Sequence, residues 1–184
     1  MIAFLVVLAL AVAILLWAIL IYNSLVRMRN MVQEAWSGID VQLKRRTDLI
    51  PNLVSTVKGY AAHEKGTLEE VIRLRGAAQN AQGVGETAQA QGLLGAALGK
   101  LFALAENYPD LKANANFAQL QASLGEIEEQ VQLARRYYNG AVRNLNIAVE
   151  SFPSNLIAGR FGFEKAEFFE LESPSERVVP KVEF

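Results

Sequence analysis

An uncharged apolar run at the start of the chain constrains its fold more than any other feature. From Ile2 to Tyr22 nearly every residue is aliphatic or aromatic, and the first charged side chain is Arg27. About 20 helical residues, rising ~1.5 Å each, span the ~30 Å hydrocarbon core of a bilayer. A buried core helix is rarely apolar on all sides over such a length. The run therefore predicts a transmembrane anchor over residues 1–22, with the lipid bilayer as a partner.

The ends of this run favour an anchor that stays on the chain. A cleaved signal peptide needs a basic segment before the apolar run and small residues at the cleavage site. No Lys or Arg precedes the run, and it ends in the bulky sequence ILIY (19–22). Aromatic residues are enriched at membrane–water interfaces. The residues that we expect to mark the membrane contact are Ile2, Phe4, Leu16, Trp17 and Tyr22.

Two arginines predict the orientation of the anchor. Arg27 and Arg29 follow the apolar run closely, and one residue precedes it. Positive charges next to a span favour the cytoplasmic side. We therefore expect a single-pass protein of the cell membrane with its helical domain in the cytoplasm.

The composition beyond the anchor excludes several classes of site. The formal net charge is -1, from 18 Lys and Arg against 19 Asp and Glu. Near-neutrality argues against binding to nucleic acid, which normally requires a basic face. The absence of cysteine excludes disulfides and thiolate metal sites, and the single His63 argues against a histidine metal centre or base. We expect no cofactor.

Two long stripes of residues, spaced alternately three and four apart, predict the fold class. Such spacing places side chains on one side of a helix. The first stripe contains Trp36, Ile39, Leu43, Arg46, Ile50, Leu53, Val57 and Tyr60. The second contains Phe117, Leu120, Leu124, Ile127, Val131, Ala134, Tyr138, Ala141, Leu145, Ala148 and Phe152. We predict an all-α protein whose transmembrane helix continues into an elongated antiparallel helical bundle over residues 23–153.

Shorter elements are expected between the two long helices. Thr67 is a plausible N-cap for a second helix, with Glu70 completing a capping box. Residues 76–92 are rich in Ala, Gln and Gly, which predicts a poorly packed connection or helix end. Residues 94–108 indicate a third helix. Pro51 should kink the first long helix near Thr47.

The C-terminal segment, residues 154–184, is expected to be irregular after Pro153. The four phenylalanines of residues 161–169 either fold back onto the bundle or pack on a neighbouring subunit; they are Phe161, Phe163, Phe168 and Phe169. Residues 178–184 have strand-like composition interrupted by Pro180, and a tail laid across an adjacent protomer would hold them.

No pattern in the sequence predicts catalysis. His63-Glu64 begins like the zinc motif H-E-x-x-H, but Thr67 stands where the second histidine must be. Residues 83–88 fit the loose pattern G-x-G-x-x-G/A, yet no predicted strand precedes them, as a dinucleotide site would require. We therefore predict that the protein is not an enzyme.

Several sequence blocks resemble the LemA family. The most recognisable is VQLKRRTDLIPNL (41–53), extended by VKGYA (57–61) and His63-Glu64; YPDLKAN (108–114) with Phe117 is a second. A third comprises YN (138–139), FPSN (152–155), FGF (161–163) and FFE (168–170). The resemblance covers nearly the whole chain. It implies one N-terminal membrane helix, a long antiparallel helical domain in the cytoplasm, and no established enzymatic activity or catalytic residues.

Two sets of residues are candidate contact surfaces. The first is structural or forms an interface, and consists of Arg45, Arg46, Asp48, Pro51 and Asn52. The second is a small-residue face that permits close backbone approach, formed by Gly92, Gly95 and Gly99. Because Arg46 occupies a stripe position, its guanidinium should reach a carboxylate or helix C-terminus, or else form an ion pair between subunits.

These features favour a membrane-anchored scaffold that self-assembles as a homo-oligomer. An adaptor for another membrane protein, such as a membrane protease, is the alternative. Because the anchor has no polar residue before Tyr22, a conducting pore is disfavoured.

Overall fold

The computed structural model describes residues 1–170, which are predominantly helical and contain no strand. The helices are α1 (Ile2–Lys58), α2 (Lys65–Asn80), α3 (Gly83–Ala105), α4 (Pro109–Lys112), α5 (Ala115–Glu150) and α6 (Ser154–Phe161). The all-α prediction is confirmed. The interpretation of residues 178–184 falls outside the described residues.

Helix α1 joins the apolar run to the first stripe without interruption. It is 57 residues long and contains Pro51. Its most apolar window has a mean hydropathy of 3.2 and no buried residue, so α1 is long and apolar enough to cross a membrane. The predicted continuity from anchor to domain is therefore confirmed.

The chain divides into two compact units. The first unit comprises Met1–Gly38 and Arg136–Glu167. Within it, α1 and the end of α5 run antiparallel, and the rings of Trp36 and Tyr138 lie 5.4 Å apart between centroids. A small apolar cluster closer to the anchor is centred on Leu25, Ala158 and Phe163.

The second unit comprises Ile39–Arg135 together with the described residues 168–170. Helices α1, α2, α3 and α5 bury their apolar stripes against one another here, and α4 adds Leu111. The fully buried side chains include Ile50, Leu53, Val57, Val71, Leu94 and Leu101. These contacts explain why marginal sequences such as the Ala-rich part of α3 are helical, since packing stabilises most helices more than propensity does.

Two predicted boundaries in this unit are wrong. Helix α2 begins at Lys65, and its Glu64 N-cap makes no side-chain cap bond, so Thr67 lies inside the first turn. Helix α3 begins at Gly83, where φ is +77°, instead of near residue 94. Residues 76–92 therefore contribute buried side chains; they include Ala78, Thr87, Ala88, Ala90 and Gln91. Small side chains bury little area singly, but they allow α2 and α3 to pack closely.

The segment after Pro153 also departs from the prediction, because its first eight residues form α6. Ser154 Oγ donates to the carbonyls of Ala148, at 2.6 Å, and Ser151, at 2.9 Å, which holds the chain reversal after α5. Gly162 has φ +69°, and the Phe163 N–H donates to the Ala158 carbonyl at 3.0 Å. This Schellman motif ends the helix.

Candidate functional site

The block 41–53 of α1, which contains the first candidate contact surface, divides between core and solvent. Leu43, Ile50 and Leu53 are buried in the second unit. The side chains that face solvent are Arg45, Asp48, Pro51 and Asn52. Lys44 and Asp48 form a solvent-exposed i,i+4 ion pair at 3.5 Å. The block therefore has a buried side and an exposed side. We call the exposed candidate residues the α1 strip (Arg45, Asp48, Pro51 and Asn52).

Pro51 leaves one carbonyl of α1 without its helical donor, and another helix supplies the bond. A proline has no N–H, so the carbonyl four residues earlier, that of Thr47, loses its partner. Arg75 Nε of α2 donates to the Thr47 carbonyl at 2.8 Å. Thr47 Oγ1 donates to the Lys44 carbonyl at 2.9 Å, which satisfies a side chain that is only 4% exposed. Sequence reasoning missed Arg75 because nothing in its local pattern points to Thr47.

Arg46 forms an ion pair within its own chain. Its side chain is 11% exposed, and Nη2 lies 3.2 Å from Glu128 Oε2 of α5. Burial lowers the pKa of the Arg46 guanidinium, and the charge of Glu128 opposes that shift. Of the interpretations of Arg46, the structure shows pairing with a carboxylate of the same chain.

The three glycines of the candidate small-residue face on α3 have different surroundings. A Cβ on Gly95 would lie 3.0 Å from Arg46 Nη2, so the missing side chain makes room for the buried guanidinium. Gly92 and Gly99 are exposed, and a Cβ on Gly99 would meet nothing within 4 Å. Gly95 therefore packs against Arg46 of the same chain, whereas Gly92 and Gly99 face outward.

A small polar cavity lies beside the Thr47 contact. It has a volume of about 230 Å³ and is lined by Asp40, Leu43, Lys44, Thr47, Ala78, Gln79, Ala81, Thr87 and Gln91. Gln91 is 3% exposed, and its Oε1 accepts no hydrogen bond. Buried polar atoms are normally hydrogen-bonded, so Gln91 is an exception in this core. The sequence pattern offered no signal for it.

Within the second unit, two of the sequence blocks are joined by side-chain hydrogen bonds. Asn114 Nδ2 donates to Tyr60 Oη at 2.9 Å, and Asn114 Oδ1 caps α5 by accepting from the Phe117 N–H at 3.0 Å. Tyr108 Oη donates to Glu64 Oε1 at 3.0 Å, and this bond raises the pKa of Tyr108. Residues 57–64 and 108–117 therefore fasten the α1–α2 corner to the start of α5.

The four C-terminal phenylalanines divide evenly between buried and exposed positions. Phe163 and Phe169 are 7% and 1% exposed, whereas Phe161 and Phe168 are 59% and 37% exposed. The Arg29 guanidinium lies over the Phe163 ring, 5.2 Å from its centroid. Phe163 and Phe169 therefore fold back into buried positions, and Phe161 contacts the Tyr22 ring while staying more than half exposed.

Tyr138 ties the extended chain after α6 to α5. Its Oη donates to the Glu167 carbonyl at 2.8 Å, and burial raises its pKa. Asn146 Oδ1 accepts from the Ala166 N–H at 2.8 Å on the same side of α5. Residues 163–167 therefore have a defined path although they form no regular element.

The anchor residues are all exposed. The exposed fractions are 79% for Ile2, 71% for Phe4, 57% for Leu16, 41% for Trp17 and 37% for Tyr22. No protein contact covers the large apolar side chains of residues 2–20, which is what lipid-facing residues require. Among residues 1–170, no three or more His, Cys, Asp or Glu side chains are grouped so that they could hold a metal ion.

Comparison with known proteins agrees with the sequence blocks. Residues 35–184 match the model of the LemA family. Magnetosome protein MamQ 2 of Paramagnetospirillum magneticum is 30% identical, over 84% of this chain and 66% of its own length. Magnetosome protein MamQ of Magnetospirillum gryphiswaldense is 27% identical, over 80% and 64%.

A third relative carries the family name itself. Protein LemA of Metamycoplasma hominis is 27% identical, over 85% of this chain and 71% of its own length. The chain spans about two thirds of the length of the curated relatives it matches. None of these names describes a reaction.

Proposed function

Because the chain belongs to the LemA family, we propose that it is a membrane-anchored helical scaffold that self-assembles and organises membrane, without a reaction of its own. The observation that carries this proposal is α1. One unbroken helix contains both an exposed apolar run and a buried stripe. The helix that enters the bilayer therefore also contributes to the folded core. Such a helix couples the position of the domain to the membrane.

Self-assembly is supported by apolar side chains that the domain leaves uncovered. Ile72, Leu93 and Leu133 are 53%, 52% and 45% exposed. Copies anchored in one bilayer share an orientation, and side-by-side packing of identical copies generates cyclic oligomers when the rotation closes. We propose a homo-oligomer of this kind, with the domain in the cytoplasm, next to Arg27 and Arg29.

The α1 strip favours a second candidate function, that of an adaptor for another membrane protein. Three of its members, Arg45, Asp48 and Asn52, offer both signs of charge and an amide to a partner. In this case the activity would belong to the partner, for example a membrane protease.

The test is the oligomeric mass of the full-length protein, extracted with its native lipids into polymer-bounded discs. A discrete homo-oligomer supports the scaffold, and a monomer overturns it. Leu93 of α3 and Leu133 of α5 are both exposed leucines, so Leu93→Ser and Leu133→Ser form a matched pair of variants. If one of them alone splits the oligomer, that helix carries the interface.

Crosslinking in native membranes addresses the adaptor. A defined heteromeric product that is lost in Asp48→Lys, without a homo-oligomer, supports the adaptor. Homo-oligomeric products alone argue against it.

A further inference from the structure

Three large apolar side chains of the first unit, in and just before α6, are more than half exposed. Phe152, just after α5, is 78% exposed, and Leu156 and Phe161 of α6 are 60% and 59% exposed. We call these three residues the α6 surface. They occur within a ten-residue stretch in which only Ala158 is fully buried. Exposed apolar groups of this density mark a site of contact with an apolar partner.

The side of α6 opposite Leu156 already has a partner. Ala158 is 1% exposed and belongs to the cluster with Leu25 and Phe163, against which Ile157 also packs. The helix is therefore held to the first unit by one side, and its Leu156 side chain points away from that contact. A short helix with apolar residues on both sides requires a second apolar environment.

The ring of Phe161 places the α6 surface relative to the anchor. Its centroid lies 4.9 Å from that of Tyr22, in an edge-to-face arrangement. Tyr22 ends the apolar run of α1, and Arg27 follows five residues later, about 7.5 Å along a helix rising ~1.5 Å per residue. Phe161 thus lies at the level where α1 leaves the hydrocarbon and enters the headgroup layer, and Phe152 and Leu156 belong to the same ten-residue stretch.

We propose that the α6 surface inserts into the interface of the bilayer that α1 crosses, so that phospholipid covers Phe152, Leu156 and Phe161. This proposal rests on the membrane anchor of the proposed function and adds a second, interfacial contact to it. Aromatic and aliphatic side chains with an adjacent cation are typical of interfacial helices. Arg160 is exposed one residue before Phe161, where its guanidinium can reach lipid phosphate.

The contact with Tyr22 favours lipid over a second copy of the chain as the occupant. Tyr22 is next to hydrocarbon in every anchored copy, whether or not copies assemble. The apolar environment that Phe161 needs is therefore already beside it, and no further protein is required.

The absence of cysteine allows a direct test by single-site labelling. Full-length Leu156→Cys and Phe161→Cys, each labelled with an environment-sensitive fluorophore, are reconstituted into phosphatidylcholine vesicles. Half of each sample contains phosphatidylcholine with nitroxide-labelled acyl chains, and half receives aqueous iodide. Tyr137→Cys is the matched control, because Tyr137 is an exposed aromatic residue of the same unit on α5. Leu16→Cys, within the apolar run, reports whether the anchor spans the bilayer.

Insertion predicts several-fold stronger quenching by lipid nitroxide at residues 156 and 161 than at residue 137, with protection from iodide at both. If iodide quenches residues 156 and 161 as strongly as residue 137, the proposal is overturned. If neither quencher reaches them, and unlabelled Leu156→Cys forms 156–156 disulfides between copies on oxidation, a second copy is the occupant and the proposal is equally wrong. If lipid nitroxide still quenches residue 16 in these cases, the anchor spans the bilayer and only the α6 proposal fails. If it does not quench residue 16, the membrane anchor of the proposed function fails as well.

Discussion

Two stretches of α1 have similar apolar side chains and opposite surroundings. In residues 2–24 no side chain is buried, and the exposed fractions of Leu10 and Leu20 are 59% and 69%. In residues 39–58, Ile50, Leu53 and Val57 are completely buried. The difference is the arrangement of apolar residues around the helix, on all sides in the first stretch and in one stripe in the second. Hydrophobicity alone therefore does not place a residue in a protein core; its angular distribution does.

The second stretch also differs in its polar contacts. Arg75 donates to the Thr47 carbonyl, and Glu128 pairs with Arg46, so two other helices satisfy polar groups of α1. Within residues 2–20, Trp17 is the only residue whose side chain can form a hydrogen bond. The following predictions test this contrast, from the largest expected effect to the smallest.

Truncation of a leucine in the second stretch should destabilise the domain, whereas truncation of a leucine in the first stretch should not. Leu53→Ala removes a completely buried side chain, which typically costs about 2–5 kcal/mol of unfolding free energy. Leu20→Ala, at a 69% exposed position, should change it by less than about 0.5 kcal/mol. Denaturant unfolding of the detergent-solubilised protein, followed by circular dichroism, measures both. Equal losses would contradict the contrast.

A charge should be tolerated at an exposed residue of the second stretch and not in the first. Leu10→Arg places a cation near the centre of the span, which costs about 2.5–3.5 kcal/mol of insertion free energy. Val41→Arg, at a 56% exposed position on the same helix, should leave insertion unchanged. Alkaline extraction of membranes measures the inserted fraction. Retention of Leu10→Arg at the wild-type level would argue that lipid does not surround this residue.

The bond from Arg75 to the Thr47 carbonyl should matter only because residue 51 is a proline. Arg75→Met should cost about 1 kcal/mol, the net value of a typical hydrogen bond. In a Pro51→Ala background, the new N–H can donate to the same carbonyl, so Arg75→Met should cost less. A double-mutant cycle of unfolding free energies gives the coupling between the two residues. Zero coupling would show that Arg75 acts independently of Pro51.

Alanine at Gly95 and at Gly99 of α3 should separate an internal contact from an open surface. Gly99→Ala should stabilise the protein by up to about 1 kcal/mol, because alanine favours the helix and its Cβ meets nothing. Gly95→Ala should gain less, because its Cβ lies 3.0 Å from Arg46 Nη2. Denaturation midpoints measure both. Destabilisation by Gly99→Ala, with loss of an oligomer, would instead place Gly99 in a contact between subunits.

Much of the helical architecture could be predicted because it repeats locally. Both stripes lie in long helices except for their last members, Tyr60 and Phe152, which follow the ends of α1 and α5. Pro109 marks the break between α3 and α4. The start of α3 could not be predicted, because Gly83 and Gly85 look like a loop until Leu94, Leu98 and Leu101 pack with α2. Helix α6 was missed because it is short and depends on Ser154 and Gly162 at its ends.

The candidate contact surfaces were predicted less well than the fold. Gly95 and Gly99 look equivalent in sequence, yet Gly95 lies against Arg46 whereas a Cβ on Gly99 would meet nothing within 4 Å. Gln91 and its cavity have no sequence signature, since an unsatisfied amide depends on which atoms surround it.

The sequence by itself determined the exposed apolar run, the two long helices and the family, because each is a property of residue order along one segment. Only the tertiary structure decided that Arg75 replaces the donor that Pro51 lacks, that Glu128 receives Arg46, and that Phe161 lies against Tyr22. These contacts join atoms from different helices, and distance along the chain does not determine distance in space.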